Sequence, residues 1–394
     1  MSKLKILYVP TLNSGVVYWR MWNFCNSMHR QGIAETKLLW WQKGMKETHP
    51  WERDISDPSY SKRIFLEMIK YARESDVVIM QIVHTPEALS AFYALKDACP
   101  SKFILAESDD NILDTPTYNP AEQVYRPGSG FVERAINQFK HADALIVSTP
   151  YLKEVYSEYN QSIYVTPNAI DLNHWGKVRR KSKPGIRIGW AGGASHEEDL
   201  RIIEPVIHEI LAEHRDVTFN LVHGVPPFLR GLDRVEHEFK FERIDKYPQH
   251  IANQAWDIAL APLVDNSFNR SKSNLRWLEA SALGIPIVAS RVGHFAETIK
   301  DGWDGFLAAD AREFKDKINI LIKDKKLRHE MGKTAYHRIE NDFNVDKVSR
   351  QYVETLKEII ALGHHSDPPS FSKGIEWENV KPLEPLPNEQ GLSV

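Results

Sequence analysis

Short apolar runs without polar alternation recur along this chain. Lys5–Val9, Val77–Val83, Phe103–Ala106 and Ala144–Ser148 form one set, and Ile186–Trp190, Val217–Val222 and Asp257–Ala261 a second. Runs of this length predict strands buried on both faces. Between them lie amphipathic stretches: Tyr18 to Met28, ending near Gly32, then Glu197–His214, residues 311–333 and Asp346–Ala361. Continuous apolar strands alternating with helices predict parallel sheets with helices on both faces, an α/β fold built twice. Segment 107–130 reads as a long loop at a strand's C-terminal end, where open α/β sheets take ligands.

The stretch Ser271–Ser290 is the most legible. Leu275, Leu278 and Ala282 repeat at spacings of three and four, which predicts a helix capped by Ser273 or Asn274. Gly284 stops that helix, Pro286 prevents its restart, and Ile287, Val288 and Ala289 form a buried strand. The basic, Pro- and Gly-containing stretch 176–185 reads as a linker. The division is residues 1–170 as a first Rossmann-like domain, 171–185 as linker and 186–345 as a second such domain. Residues 346–362 form a closing helix, and the Pro-, Ser- and Glu-rich 363–394 a flexible tail.

At 394 residues the chain is too long for a single core. A net charge of −3 gives no global electrostatic case for nucleic acid, so that partner is disfavoured. Two cysteines, Cys25 and Cys99, supply neither a disulfide framework nor a metal cluster. No apolar run approaches the roughly 18 residues of a membrane span, and Met-Ser-Lys-Leu-Lys leads directly into a strand with no signal peptide. A reducing cytoplasm is the simplest home; peripheral contact with the inner membrane face stays open. Of the eleven Trp, most, the adjacent Trp40 and Trp41 included, are expected in core and interface packing.

The polar loop Asn269–Asn274 is delivered to a helix N-terminus, where unpaired N–H groups and the dipole favour an anion. Arg270 and Lys272 add charge there, Ser271, Ser273 and Asn274 add polar groups, and Glu279 sits farther along as an acceptor for hydroxyls. Phosphate at a helix tip beside a carboxylate suits a sugar nucleotide. Gly192 and Gly193 allow close backbone approach. Ser195 with Glu198 reads as a capping box, with His196 at the same helix tip. Three readings stand for Asp109 and Asp110: contact with sugar or acceptor hydroxyls, a Mg²⁺ site, or a turn cluster. His84 reads as a proton acceptor or a satisfied strand-end residue, and Gly15 as a ligand approach or a plain turn.

Three pieces resemble the GT-B-fold glycosyltransferases, glycosyltransferase family 4 in particular, over roughly residues 3–361. They are Thr166-Pro-Asn-Ala-Ile-Asp171, Leu278–Ser290, and Gly293, Glu297 and Asp301-Gly-Trp-Asp-Gly-Phe-Leu307. The resemblance implies two Rossmann-like domains facing across a cleft, with the donor mainly on the second. It implies Glu279 on the donor ribose, retention of anomeric configuration, no obligatory metal and no cofactor beyond the nucleoside diphosphate sugar as co-substrate. Counting back from Glu279 gives Ser271 where the family has a first glutamate. Gly189–His196 holds no basic residue but His196 where the family has an Arg and Lys, so Arg270 and Lys272 are expected to neutralise the diphosphate. The expected activity is sugar transfer to a hydroxyl on a glycan, a lipid-linked sugar or another acceptor. The alternatives are a sugar-nucleotide epimerase and a non-catalytic sugar-nucleotide binder.

Overall fold

The computed structural model describes residues 3–11, 15–39, 58–222, 225–238, 245–363 and 365–366, with backbone alone at 58–64 and 194. Trp40, Trp41 and nearly all of the tail expected at 363–394 lie outside these residues. Twelve strands among them form two all-parallel sheets. The first contains β1 (Leu4–Val9), β2 (Ala34–Leu38), β3 (Val77–Gln81), β4 (Phe103–Ser108), β5 (Leu145–Val147) and β6 (Ile163–Val165), in the order β2-β1-β3-β4-β5-β6. The second contains β7 (Ile186–Ala191), β8 (Val217–Val222), β9 (Val235–Glu238), β10 (Ile258–Ala261), β11 (Ile287–Ser290) and β12 (Phe306–Ala308), ordered β12-β11-β10-β7-β8-β9. The fully apolar β10, and β3, apolar but for its last residue Gln81, are buried along their whole length, as central parallel strands must be. The α/β class and the doubled sheet agree with the hydrophobic pattern.

Each sheet carries an apolar cluster on either face, and two of these clusters cross between lobes. Tyr18 and Trp19 of the first lobe pack with Trp175 of the linker and with Tyr247 and Trp256 of the second lobe. In return Val348, Tyr352 and Leu356, on the Val345–Leu362 helix, pack with Phe24 and Met28 under the first sheet. The backbone of Ile170 pairs with Phe343 and Val345, so the chain leaves and re-enters the first lobe at one point. Among the described residues no helix is long and apolar enough to cross a membrane.

Several boundaries differ from expectation for local reasons. The helix after β1 starts at Gly15 and has a π-helical turn at Tyr18–Trp22 before continuing as Asn23–Gln31; Gly32, at φ 65°, ends it. The helix expected at 197–214 is broken into Glu197–Arg201 and Glu204–Glu213, because Pro205 cannot donate to a preceding turn. The helix expected at 311–333 is two, Ala311–Lys323 and Lys325–Asp342, with Asp324 capping the second through the Leu327 N–H. The Ser195 capping box does not form: residues 194–196 make a 3₁₀ turn, and Glu198 bonds Arg201 instead. In segment 107–130 the strand runs on to Ser108 and a short helix occupies Glu122–Tyr125. Residues 365–366 of the expected tail are docked on the first lobe, where the Ser366 N–H donates to Asp143 at 2.7 Å.

Candidate functional site

The C-terminal ends of β4, β5 and β7 and the loop after β10 meet between the lobes. The loop 262–274 ends at the Leu275–Ala282 helix, and the first lobe grips it at several points. Thr149 Oγ1 donates to the Ser271 carbonyl at 3.1 Å. Asn168 Nδ2 donates to Ser273 Oγ at 2.8 Å, Asn266 Nδ2 to the Tyr118 hydroxyl at 2.8 Å, and Ser267 to Asp114. Lys272 Nζ reaches Asp110 Oδ1 at 2.7 Å, while its ammonium lies 4.3 Å from the centre of the Phe268 ring.

The two basic residues of the loop are therefore not equivalent. Lys272 faces the first lobe. Arg270 forms a two-point pair with Asp265 of its own loop, at 2.6 and 3.0 Å, with the Tyr151 hydroxyl of the first lobe beside it. Gly293, at φ 49°, allows this crowding: a Cβ there would lie 2.5 Å from the Arg270 carbonyl oxygen. Ser271 is wholly buried, and its hydroxyl donates to Phe268 O at 2.6 Å, so it presents no group to a ligand. Asn274 stands at the helix N-cap position without capping; its Nδ2 donates to Thr298 and its buried Oδ1 has no partner. The Ser271 and Asn274 side chains are thus turned into the protein, and of the two cations Lys272 is the one paired across the lobes.

One and a half turns on, Glu279 is buried, and its Oε2 accepts from Arg276 Nη1 at 2.7 Å and the Tyr247 hydroxyl at 3.5 Å. Burial pushes Glu279 up and Arg276 opposes it. At Arg276 burial pulls down, but Glu279 and the Tyr247 hydroxyl together outweigh it and hold that guanidinium above its ordinary value. The sequence reading missed Arg276, although its position three residues before Glu279 on one helix face was the available signal.

At the end of β7, Gly192 proves to be a packing glycine. Its N–H donates to Val222 O, and a Cβ would strike the Trp190 ring at 2.4 Å. Gly193 faces open space instead. His196 Nδ1 donates to Asp199 Oδ2 at 2.8 Å; Asp199 Oδ1 accepts from the Val264 N–H and Asn269 Nδ2. Burial pushes His196 below its ordinary value, Asp199 opposes this, and nearby Lys272 and Arg276 add to the fall. At neutral pH the ring is uncharged with its lone pair on Nε2, an acceptor for a hydroxyl rather than a cation for phosphate.

On the first lobe, Glu107, Asp109 and Asp110 follow one another at the end of β4. Glu107 is buried, and its Oε1 takes Arg20 Nε at 2.6 Å while its Oε2 is buried without a partner. Half-buried Asp109 makes no side-chain hydrogen bond among the described residues. Burial, then the carboxylates of Asp110 and Glu107, push it up to about 8. Among the described residues no three His, Cys, Asp or Glu side chains converge as a metal-binding group. His84 stands beside Thr11, 3.2 Å from Nδ1 to Oγ1. Because Thr11 Oγ1 donates to Ile82 O, it accepts from His84, whose Nδ1 carries a proton. Gly15 only opens the first helix, with open space where a Cβ would be.

Residues 275–338 match the family described as Glycosyl transferases group 1. The chain is 31% identical over 208 residues to the N-acetyl-alpha-D-glucosaminyl L-malate synthase of Bacillus anthracis, a stretch covering 52% of this chain and about half (53%) of that relative. It superposes on the crystal structure of Anabaena HepE in complex with UDP-glucose with a TM-score of 0.62 at 16% identity, covering 90% of this chain and 100% of the other. The sucrose-phosphate synthase of Thermosynechococcus elongatus gives 0.63 at 15% identity, covering 92% and 100%. The chain thus has the GT-B fold, and its second lobe carries a group 1 glycosyltransferase segment.

Proposed function

We propose that this protein transfers a sugar from a nucleoside diphosphate sugar to an acceptor hydroxyl, with retention of anomeric configuration. The observation that carries the reading is the buried Glu279–Arg276–Tyr247 constellation. Its Glu279 and Arg276 lie on the family-matched helix, in the same lobe as Lys272, and Tyr247 comes from the Tyr247–Asn253 helix. Glu279 accepts from the ribose hydroxyls. Lys272 and Arg276 offer charged hydrogen bonds to the departing diphosphate as the bond from the anomeric carbon to its oxygen breaks. The acceptor oxygen forms the new bond on the same face, and its proton passes to the leaving phosphate. The neutral His196 Nε2 and the carboxyl of Asp109 hold hydroxyls in register, and the lobe contacts around loop 262–274 exclude water. The acceptor enters on the β4 side, and a glycan, a lipid-linked sugar or another polyol meets that chemistry.

Incubation with labelled UDP-, GDP- and ADP-sugars tests the proposal. Transfer or net hydrolysis supports it. A changed sugar on an intact diphosphate would favour an epimerase, and binding without turnover a sugar-nucleotide binder. Glu279→Ala is expected to weaken nucleotide binding by roughly tenfold or more, the scale of a lost charged hydrogen bond. A fluorescence titration reads that loss, and unchanged affinity in a folded variant would refute the role of Glu279.

A further inference from the structure

Lys272 is already neutralised by the protein itself. Its ammonium is 2.7 Å from Asp110, which belongs to the other lobe and stands 162 residues away in sequence. The residues on either side of Lys272 are tied to that same lobe, Ser271 by its carbonyl to Thr149 and Ser273 by its hydroxyl to Asn168. The ammonium can swing on its own stem while its attachment point stays put. Behind Asp110 lie Glu107 of β4, Asp109 just past its end, Arg20 of the first helix, and the hydroxyls of Tyr125 and Tyr156. Behind Lys272 lie His196 and Arg276. Three carboxyl groups thus share two cations, Arg20 and Lys272. Arg20 is committed to Glu107 in the interior, whereas both members of the Lys272–Asp110 pair are partly open to solvent.

We propose that Asp110 is an internal substitute for the donor's diphosphate, holding Lys272 across the cleft and releasing it only to an anion stronger than a carboxylate. The inference rests on the donor reading above and adds a specificity residue to it. Binding becomes an exchange of anions at one ammonium. A diphosphate, with more charge and more acceptor oxygens, displaces Asp110, whereas a singly charged anion competes on even terms and gains little. The freed Asp110 carboxylate then faces the sugar and acceptor hydroxyls.

Calorimetric titration of the full chain with UDP, GDP, ADP and inorganic phosphate tests this in a double-mutant cycle. Asp110→Asn is expected to bind the recognised nucleotide roughly fivefold more tightly, and phosphate as well, since a competing partly exposed pair has been removed. The gain should vanish in the Lys272→Gln background. Asp110→Ser serves as a second variant should the amide fail to fold. Equal or weaker nucleotide binding by a folded Asp110 variant would overturn the proposal, as would an undiminished gain in the Lys272→Gln background. If no nucleotide binds either the parent or the variants, the donor reading itself fails and this inference with it.

Discussion

Asp109 shows how a single side chain can set a pH dependence for the whole fold. It has carboxylates on both sides and no cation of its own, since Arg20 is paired with Glu107 and Lys272 with Asp110. In the unfolded chain its carboxyl ionises near 3.8, but in the folded protein near 8. Between these values the folded state keeps a proton that the unfolded state has lost. Stability therefore falls as pH rises through this window, and the full cost is present above about 8. Asp109→Asn removes the cost. It is expected to raise stability by roughly 1–3 kcal/mol at pH 8 and by almost nothing near pH 4. Thermal melts across that range check the sign, and a gain that is larger in acid would contradict it. Such a pattern was only half legible in the sequence. Asp109 and Asp110 stand out as a pair, but the lysine that selects one of them over the other is 162 residues distant. Arg270 illustrates the reverse: the motif suggested an anion contact, and the pairing with Asp265 five residues earlier overrode it.

Elements buried on both faces were the readable ones, because a central parallel strand has no polar face to confuse the pattern. The strands β3, β8, β10 and β11 fall where apolar runs predicted them. Ala34–Leu38 alternates as an edge strand and Val235–Glu238 is mostly polar, so neither announces itself by apolarity. The Leu275–Ala282 helix was readable from its stop signal, yet what seats it was not. Gly284, at φ 65°, ends the helix and lets its carbonyl oxygen approach Gly332 on the Lys325–Asp342 helix. A Cβ on Gly332 would lie 2.2 Å from that oxygen, a contact with backbone that cannot yield cheaply. Gly332→Ala is accordingly expected to cost about 1–3 kcal/mol. It should also weaken nucleotide binding, because the helix carrying Arg276 and Glu279 must shift. A denaturant melt together with a nucleotide titration measures both, and a variant of parental stability would show that the two helices separate freely.

Arg20 joins the lobes on the scale of the whole molecule. From a π-helical turn it reaches Glu107 on β4, the Thr166 carbonyl and Asn168 Oδ1, and Asn168 in turn holds Ser273 beside Lys272. A buried ion pair contributes little net stability, but removing one partner strands the other. Arg20→Met leaves the Glu107 carboxylate buried without its cation and should cost about 3–5 kcal/mol. Arg20→Met combined with Glu107→Leu replaces the whole pair by apolar volume and should recover most of that loss. The recovery should not extend to the cleft, because Asn168 has still lost the guanidinium that aims it at Ser273. The double variant is therefore expected to melt near the parent while binding nucleotide more weakly. Stability and affinity restored together would mean that the lobes keep their register without Arg20. A double variant as unstable as Arg20→Met alone would mean that the bonds to Thr166 and Asn168, and not the buried charge, dominate at this junction.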